Sequence, residues 1–238
     1  MQQKTLWFQS GNFRLHGSLH LPDREKPPVV VGAHGLLSTG DSPKQIDLAK
    51  KCNAAGIAFF RFDHRGCGQS QGDFRLATTF AGRVRDVEMA VDMLQKSGKT
   101  NGRIGLFGSS LGGAAVLAAA KTLSPCAVVT VAAPIRADAI AAPYINDAAN
   151  SEALQSLRRE DLDFDISGRI PAVSGLLMFH GDADNIVPYE NARRIYELAG
   201  SPKELIRLEN GDHPMSKETH QTLFLKTSTD WYSKRCAR

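Results

Sequence analysis

The stretch RIGLFGSSLGGAAVLAAA, Arg103 to Ala120, sets the reading of everything around it. A short apolar run, Ile104-Gly105-Leu106-Phe107, stops at Gly108, and the chain continues as a segment dominated by alanine. The run suits a strand buried on both faces, and the alanines suit a helix packed close against it. Gly108-Ser109-Ser110-Leu111-Gly112 stands at the junction and fits G-x-S-x-G. In that pattern small residues let the chain turn sharply while the central serine projects its hydroxyl. Ser110 holds the central position and Ser109 the variable one. A packing serine in a glycine-rich turn would spell the same five letters, so the choice falls to the surroundings.

On both sides of this junction the same alternation recurs. Apolar runs at Val29–Val31, Ala58–Phe62, Ala127–Val131, Leu176–Phe179 and Leu205–Leu208 are separated by stretches with helical periodicity. Ile46, Ala49, Cys52 and Ala55 recur every three residues between Ser42-Pro43, a helix start, and Gly56, a helix stop. Val84, Val87, Val91 and Leu94 mark a second apolar face, and Ala192, Ile195, Tyr196 and Ala199 a third. Thr5–Gln9 and Arg14–Leu21 flank Ser10-Gly11-Asn12 and read as an antiparallel hairpin. Strands alternating with helices imply βαβ units, hence an α/β protein with a mainly parallel sheet. The 238 residues fit one domain, residues 1–238. Residues 133–171 resist the alternation, and their charged cluster and scattered apolar residues fit either a short lid or a crossover helix with irregular flanks.

Bulk properties narrow the setting. Twenty-nine Lys and Arg against 25 Asp and Glu give a net charge of +4 with the signs interspersed, too weak and too mixed a balance for nucleic acid or an anionic membrane. Cys52, Cys67, Cys126 and Cys236 form no C-x-x-C pair and read as isolated inert thiols. The first residues lack the basic start and apolar core of a signal peptide, and no apolar stretch nears the ~20 residues of a membrane span. A cytoplasmic protein is expected.

Ligands of open parallel sheets bind beyond the carboxyl ends of the strands. The segments expected there are GAHGLL after Val31, DHRGCGQSQG after Phe62, the serine pair after Phe107, HGDADNIVP after Phe179 and ENGDHP after Leu208. Serine, acid and histidine thus follow one another on three strand ends as Ser110, Asp184 and His213. Together with His34-Gly35 and Asp63-His64-Arg65-Gly66-Cys67-Gly68, these segments resemble the α/β-hydrolase superfamily over nearly the whole chain. Within it they look like the serine-aminopeptidase-like and feruloyl-esterase-like esterases. The resemblance implies the α/β-hydrolase fold, a mostly parallel eight-stranded sheet with an antiparallel N-terminal hairpin and helices on both faces. It also implies a serine esterase acting on a small-molecule ester, with short to medium or small aromatic acyl groups expected here.

The roles follow from chemical need. A serine hydroxyl is a weak nucleophile, so His213 would take its proton and Asp184 would hold the imidazole in the useful tautomer. The backbone N–H groups of Leu36 and Leu111 would stabilise the negative charge of the tetrahedral intermediate. No cofactor, metal, nucleic acid or membrane is expected. Asp182, Asp163 and Asp165 are rivals for the acid. The match to H-G-x-x-D-x-x-V-P favours Asp184, and Asp182 and Asp212 suit turn chemistry. His34, His64 and His180 suit structural hydrogen bonding. Two other readings stay open: a zinc-type site drawn from Asp63, His64, His180, Asp182 and His213, and a receptor that keeps the scaffold. Amide, peptide and thioester cleavage would share the same intermediate.

Overall fold

The computed structural model describes residues 2–140 and 157–236. The expected hairpin is present as β1 (Gln2–Ser10) and β2 (Phe13–Leu21), paired from Gln2 opposite Leu21 to Ser10 opposite Phe13. Beyond it come β3 (Val29–Ala33), α1 (Pro43–Ala54), β4 (Ala58–Phe62), α2 (Phe74–Ala77) and α3 (Phe80–Lys96). The chain continues through β5 (Ile104–Ser109), α4 (Leu111–Leu123), β6 (Ala127–Val131), β7 (Leu176–Gly181), α5 (Glu190–Leu198), β8 (Lys203–Leu208) and α6 (Glu218–Cys236). The eight strands form one sheet in the order β1-β2-β4-β3-β5-β6-β7-β8, with β2 antiparallel to β4 and every later pairing parallel.

The apolar runs of β3 to β7 are strands because both of their faces are covered, whereas Leu205–Leu208 lies in the edge strand β8 and is only partly buried. Successive residues alternate across the sheet: Val29 and Val31 join Phe60 and Leu106 against α3 and α4, whereas Val30 joins Phe59 and Phe107 against α1 and α6. Each fully buried Val, Leu or Phe stabilises the fold by roughly 1.5–3 kcal/mol relative to exposure. The alanines of α4 are buried between sheet and α3, and their small side chains let the helix lie close to β5.

Ser42 stands at the N-cap of α1 and Pro43 at its first position, as expected, although the Ser42 side chain makes no capping hydrogen bond. One expectation needs correction. Cys126 and Cys236 are joined in a disulfide, so only Cys52 and Cys67 remain free thiols, both buried. The pairing closes 110 residues of separation and depends on α6 returning beneath β6, which spacing does not reveal. Within residues 133–171, the described parts form short 3₁₀ turns at Ala137–Ala139, Arg159–Leu162 and Ile170–Ala172. Phe164 stacks on Phe80 at 4.0 Å, and Ile166 and Ile170 are buried in the core. The rest of the expected lid or crossover helix lies outside the described residues.

Candidate active site

The turn from β5 into α4 forces Ser110 to φ 53°, ψ −126°, a left-handed conformation that a residue with a Cβ seldom adopts. Holding it there costs on the order of 1–3 kcal/mol, which the surrounding packing has to offset. Part of that restraint is the hydrogen bond from the Ser110 N–H to the Val131 carbonyl on β6, 2.8 Å long. The glycines are required by close approach. A methyl group on Gly112 would overlap the Ala33 carbonyl, and one on Gly108 would overlap the Gly112 carbonyl.

The three strand-end residues meet. Ser110 Oγ lies 3.1 Å from His213 Nε2, and His213 Nδ1 lies 2.7 Å from Asp184 Oδ2. The other carboxylate oxygen, Asp184 Oδ1, accepts from the N–H groups of Ile186 and Val187 at 2.9 and 2.8 Å. With one oxygen fixed by its own loop, the other is aimed at the imidazole. His180 braces the same loop by donating from Nε2 to the Val187 carbonyl at 2.7 Å, and burial lowers its pKa.

Asp182 stands apart from this group. Its carboxylate accepts from Arg207 Nε at 2.8 Å on the neighbouring strand, and this partner, more than its own turn, holds its pKa down. Asp165 lies in an isolated bridge with Arg136 and accepts from the Ser167 N–H. Asp212 accepts from the Ser216 N–H, which is the turn role expected of it. Of the five side chains considered for zinc, three have separate partners: Asp63 holds Gly40 and Gln69 N–H groups, His64 pairs with Asp86, and Asp182 with Arg207.

Gly35, Leu36 and Ser110 line one cavity of about 640 Å³, and a Cβ placed on Gly35 would come into van der Waals contact with the Ser110 side chain. Leu111 opens α4, so its N–H belongs to the first turn, where helical donors have no partner in the helix. Arg83 on α3 sets the path of the loop that carries Leu36. Fully buried, it donates to the carbonyls of His34, Gly35 and Leu36 at 3.1, 3.3 and 3.2 Å. With these carbonyls turned toward α3, the loop has a fixed orientation. His34 Nε2 accepts the His64 N–H at 3.1 Å, so its proton sits on Nδ1, which donates to the Gly35 carbonyl at 2.7 Å.

Asp86, also on α3, collects Ser10, His64 and Arg65 at 2.7 to 3.2 Å. Burial raises its pKa, but the bonds from His64 and Arg65 outweigh this and bring it to about 2. Burial brings His64 to about 4. Arg83 and Asp86 were not singled out in the sequence. The available signal was their position on the same helical stripe as Val87, Ala90 and Leu94, where a charge must be buried and therefore partnered.

The family model for serine aminopeptidase, S33, matches residues 24–160. The chain belongs to the serine aminopeptidase S33 family. It is 30% identical to "Uncharacterized protein YfhR" of Salmonella typhi over 192 residues, 78% of this chain and 64% of that protein. It thus spans just under two thirds of that relative's length. The mouse "Palmitoyl-protein thioesterase ABHD10, mitochondrial" is 25% identical over 234 residues, covering 88% of this chain and 76% of the relative. The esterase domain of a Rhodothermus marinus protein superposes with a TM-score of 0.73 at 25% identity, covering 98% of this chain and 99% of that one. Est1E of Butyrivibrio proteoclasticus, solved with ferulic acid, shares the fold with a TM-score of 0.80 at 19% identity, covering 98% and 100%. The S33 chain therefore belongs to a family of hydrolases and has the α/β-hydrolase fold. Among the described residues, no helix is long and apolar enough to cross a membrane.

Proposed function

We propose that this S33 family member is a serine hydrolase that cleaves carboxylic esters through an acyl-enzyme on Ser110. The observation that carries the reading is the continuous chain of contacts from Ser110 Oγ through His213 to Asp184, 3.1 and 2.7 Å. As Oγ bonds to the carbonyl carbon, its proton passes to His213 Nε2, and the imidazolium is stabilised by Asp184. The oxyanion is held by the N–H groups of Leu36 and Leu111. Collapse breaks the ester bond, and the leaving oxygen takes the proton from Nε2. Water then repeats the sequence on the acyl-enzyme, His213 taking its proton and returning it to Ser110.

The cavity of about 640 Å³ is of a size for a small molecule, which supports esters with short to medium or small aromatic acyl groups. The mouse thioesterase supports thioesters as a second reading, because both substrates pass through the same intermediate. A disulfide such as Cys126–Cys236 persists in oxidising surroundings, which weighs against the cytoplasmic location expected from the sequence.

The test is labelling with a fluorophosphonate and mapping of the modified peptide, paired with steady-state kinetics of Ser110→Ala. We expect the label on Ser110 and a loss of kcat on the order of 10⁶ with the fold intact. A label on Ser109, or near-normal turnover by Ser110→Ala, refutes the assignment.

A further inference from the structure

The cavity that holds Ser110 and His213 has mostly apolar walls, among them Leu36, Pro43, Met215 and Phe224, yet it also admits one lysine. Lys44 lies in the first turn of α1, half-buried, and its ammonium donates to the Pro214 carbonyl at 2.5 Å. An ammonium has three N–H donors, so this bond leaves two for a ligand. Among the described residues no carboxylate lies within 4 Å of it, and Asp47, the acid on the same wall, is paired with Lys50 at 2.9 Å. Burial lowers the Lys44 pKa, and the more distant Asp212 restores part of it. A half-buried cation with no carboxylate within 4 Å is incompletely compensated, and an anionic ligand would supply the missing charge.

The position selects which half of the substrate would bear the anion. His213 Nε2 hands its proton to the leaving group, which must therefore pass beside His213. Pro214, the next residue, is the one that Lys44 touches, and Pro214, Met215 and Ser216 form that side of the cavity.

We propose that Lys44 is a specificity-determining residue that recognises a carboxylate or phosphate on the leaving alcohol or thiol. The proposal rests on the hydrolase reading above. It makes the preferred substrate an anionic ester or thioester, charged on the side that departs first.

The probes are 4-acetoxybenzoate and its methyl ester, which release the same kind of phenol with and without a carboxylate. Lys44→Gln is expected to lower kcat/KM for the charged ester at least tenfold more than for the methyl ester, mainly through KM. Lys44→Arg keeps most of the preference. Equal losses on both esters would make Lys44 a strut for the His213 loop and overturn the proposal, as would a preference that Lys44→Gln leaves unchanged. A second measurement does not depend on turnover. Ser110→Ala protein is titrated with 4-hydroxybenzoate and with its methyl ester, with and without Lys44→Gln. Tighter binding of the carboxylate that vanishes with Lys44→Gln supports the anion site, and indifference to Lys44 overturns it. If the wild-type protein turns over neither ester and Ser110→Ala matches it, the hydrolase reading fails, while the titration still decides the site at Lys44.

Discussion

Asp184→Asn changes one atom, and the structure dictates which way the new amide must face. Oδ1 of Asp184 accepts two backbone N–H bonds, from Ile186 and Val187. Turning the amide nitrogen toward those donors would leave both unsatisfied, at about 1–3 kcal/mol each. The asparagine therefore keeps its oxygen on the loop and points its NH₂ at His213 Nδ1, where the carboxylate oxygen now lies at 2.7 Å. A donor facing Nδ1 makes that nitrogen an acceptor, so the ring proton moves to Nε2. Nε2 then carries a hydrogen toward Ser110 Oγ and cannot take the serine proton. Loss of the tautomer and of the charge that supports the imidazolium predicts a fall in kcat of about 10⁴, or about 5.5 kcal/mol of activation free energy. Folding should change little, since the loop bonds survive. The assay is ester hydrolysis across pH with thermal unfolding run in parallel, and Asp182→Asn is the control because its carboxylate faces Arg207. A folded Asp184→Asn protein within tenfold of wild type, or a large loss with Asp182→Asn instead, would refute the reasoning.

Leu36→Pro removes one N–H and is expected to lower kcat by roughly 10²–10³, whereas Leu36→Ala keeps much of the activity; equal losses in folded variants would assign the role to the side chain. Arg83→Met withdraws the donors from His34, Gly35 and Leu36 carbonyls, and a loss of about 3–5 kcal/mol in urea unfolding is expected, with kcat falling as the Leu36 loop loosens. Acid should weaken the fold before it titrates the carboxylates. Burial holds His64 at about 4 and His34 well below its ordinary 6.5, so between pH 6.5 and 4 the unfolded chain binds protons that the fold refuses. Each such histidine lowers stability by up to about 1.4 kcal/mol per pH unit in that window, so the urea midpoint should be lower at pH 5 than at pH 7.

The sheet was legible because burial on both faces leaves a simple trace: Val29–Val31 and Ala58–Phe62 are apolar at every position except Arg61, and flanking helices supply the period change. The elbow was legible because backbone crowding at Gly108 and Gly112 admits no other residue. Ser110, Asp184 and His213 could be placed at strand ends, though only three-dimensional packing brings Ser110 and Asp184 to the two ring nitrogens of His213, at 3.1 and 2.7 Å. Arg83 escaped notice because periodicity records which positions face inward and not which partner awaits a charge there. Lys44 escaped for a related reason: its neighbour Pro214 is 170 positions away along the chain. The disulfide joins two cysteines whose spacing carries no information until α6 is seen to return across the sheet.

That disulfide lies at the opposite end of the strands from the serine. Cys126 precedes β6, whereas Ser110 follows β5, its parallel neighbour. Arg103, just before β5, donates to the Arg235 and Cys236 carbonyls and pins the end of α6 to that same lower rim. For anyone immobilising the protein on a bead or sensor, a tether attached beyond Cys236 would leave the substrate entrance facing the solution. A tether on the first turn of α1 would cover it.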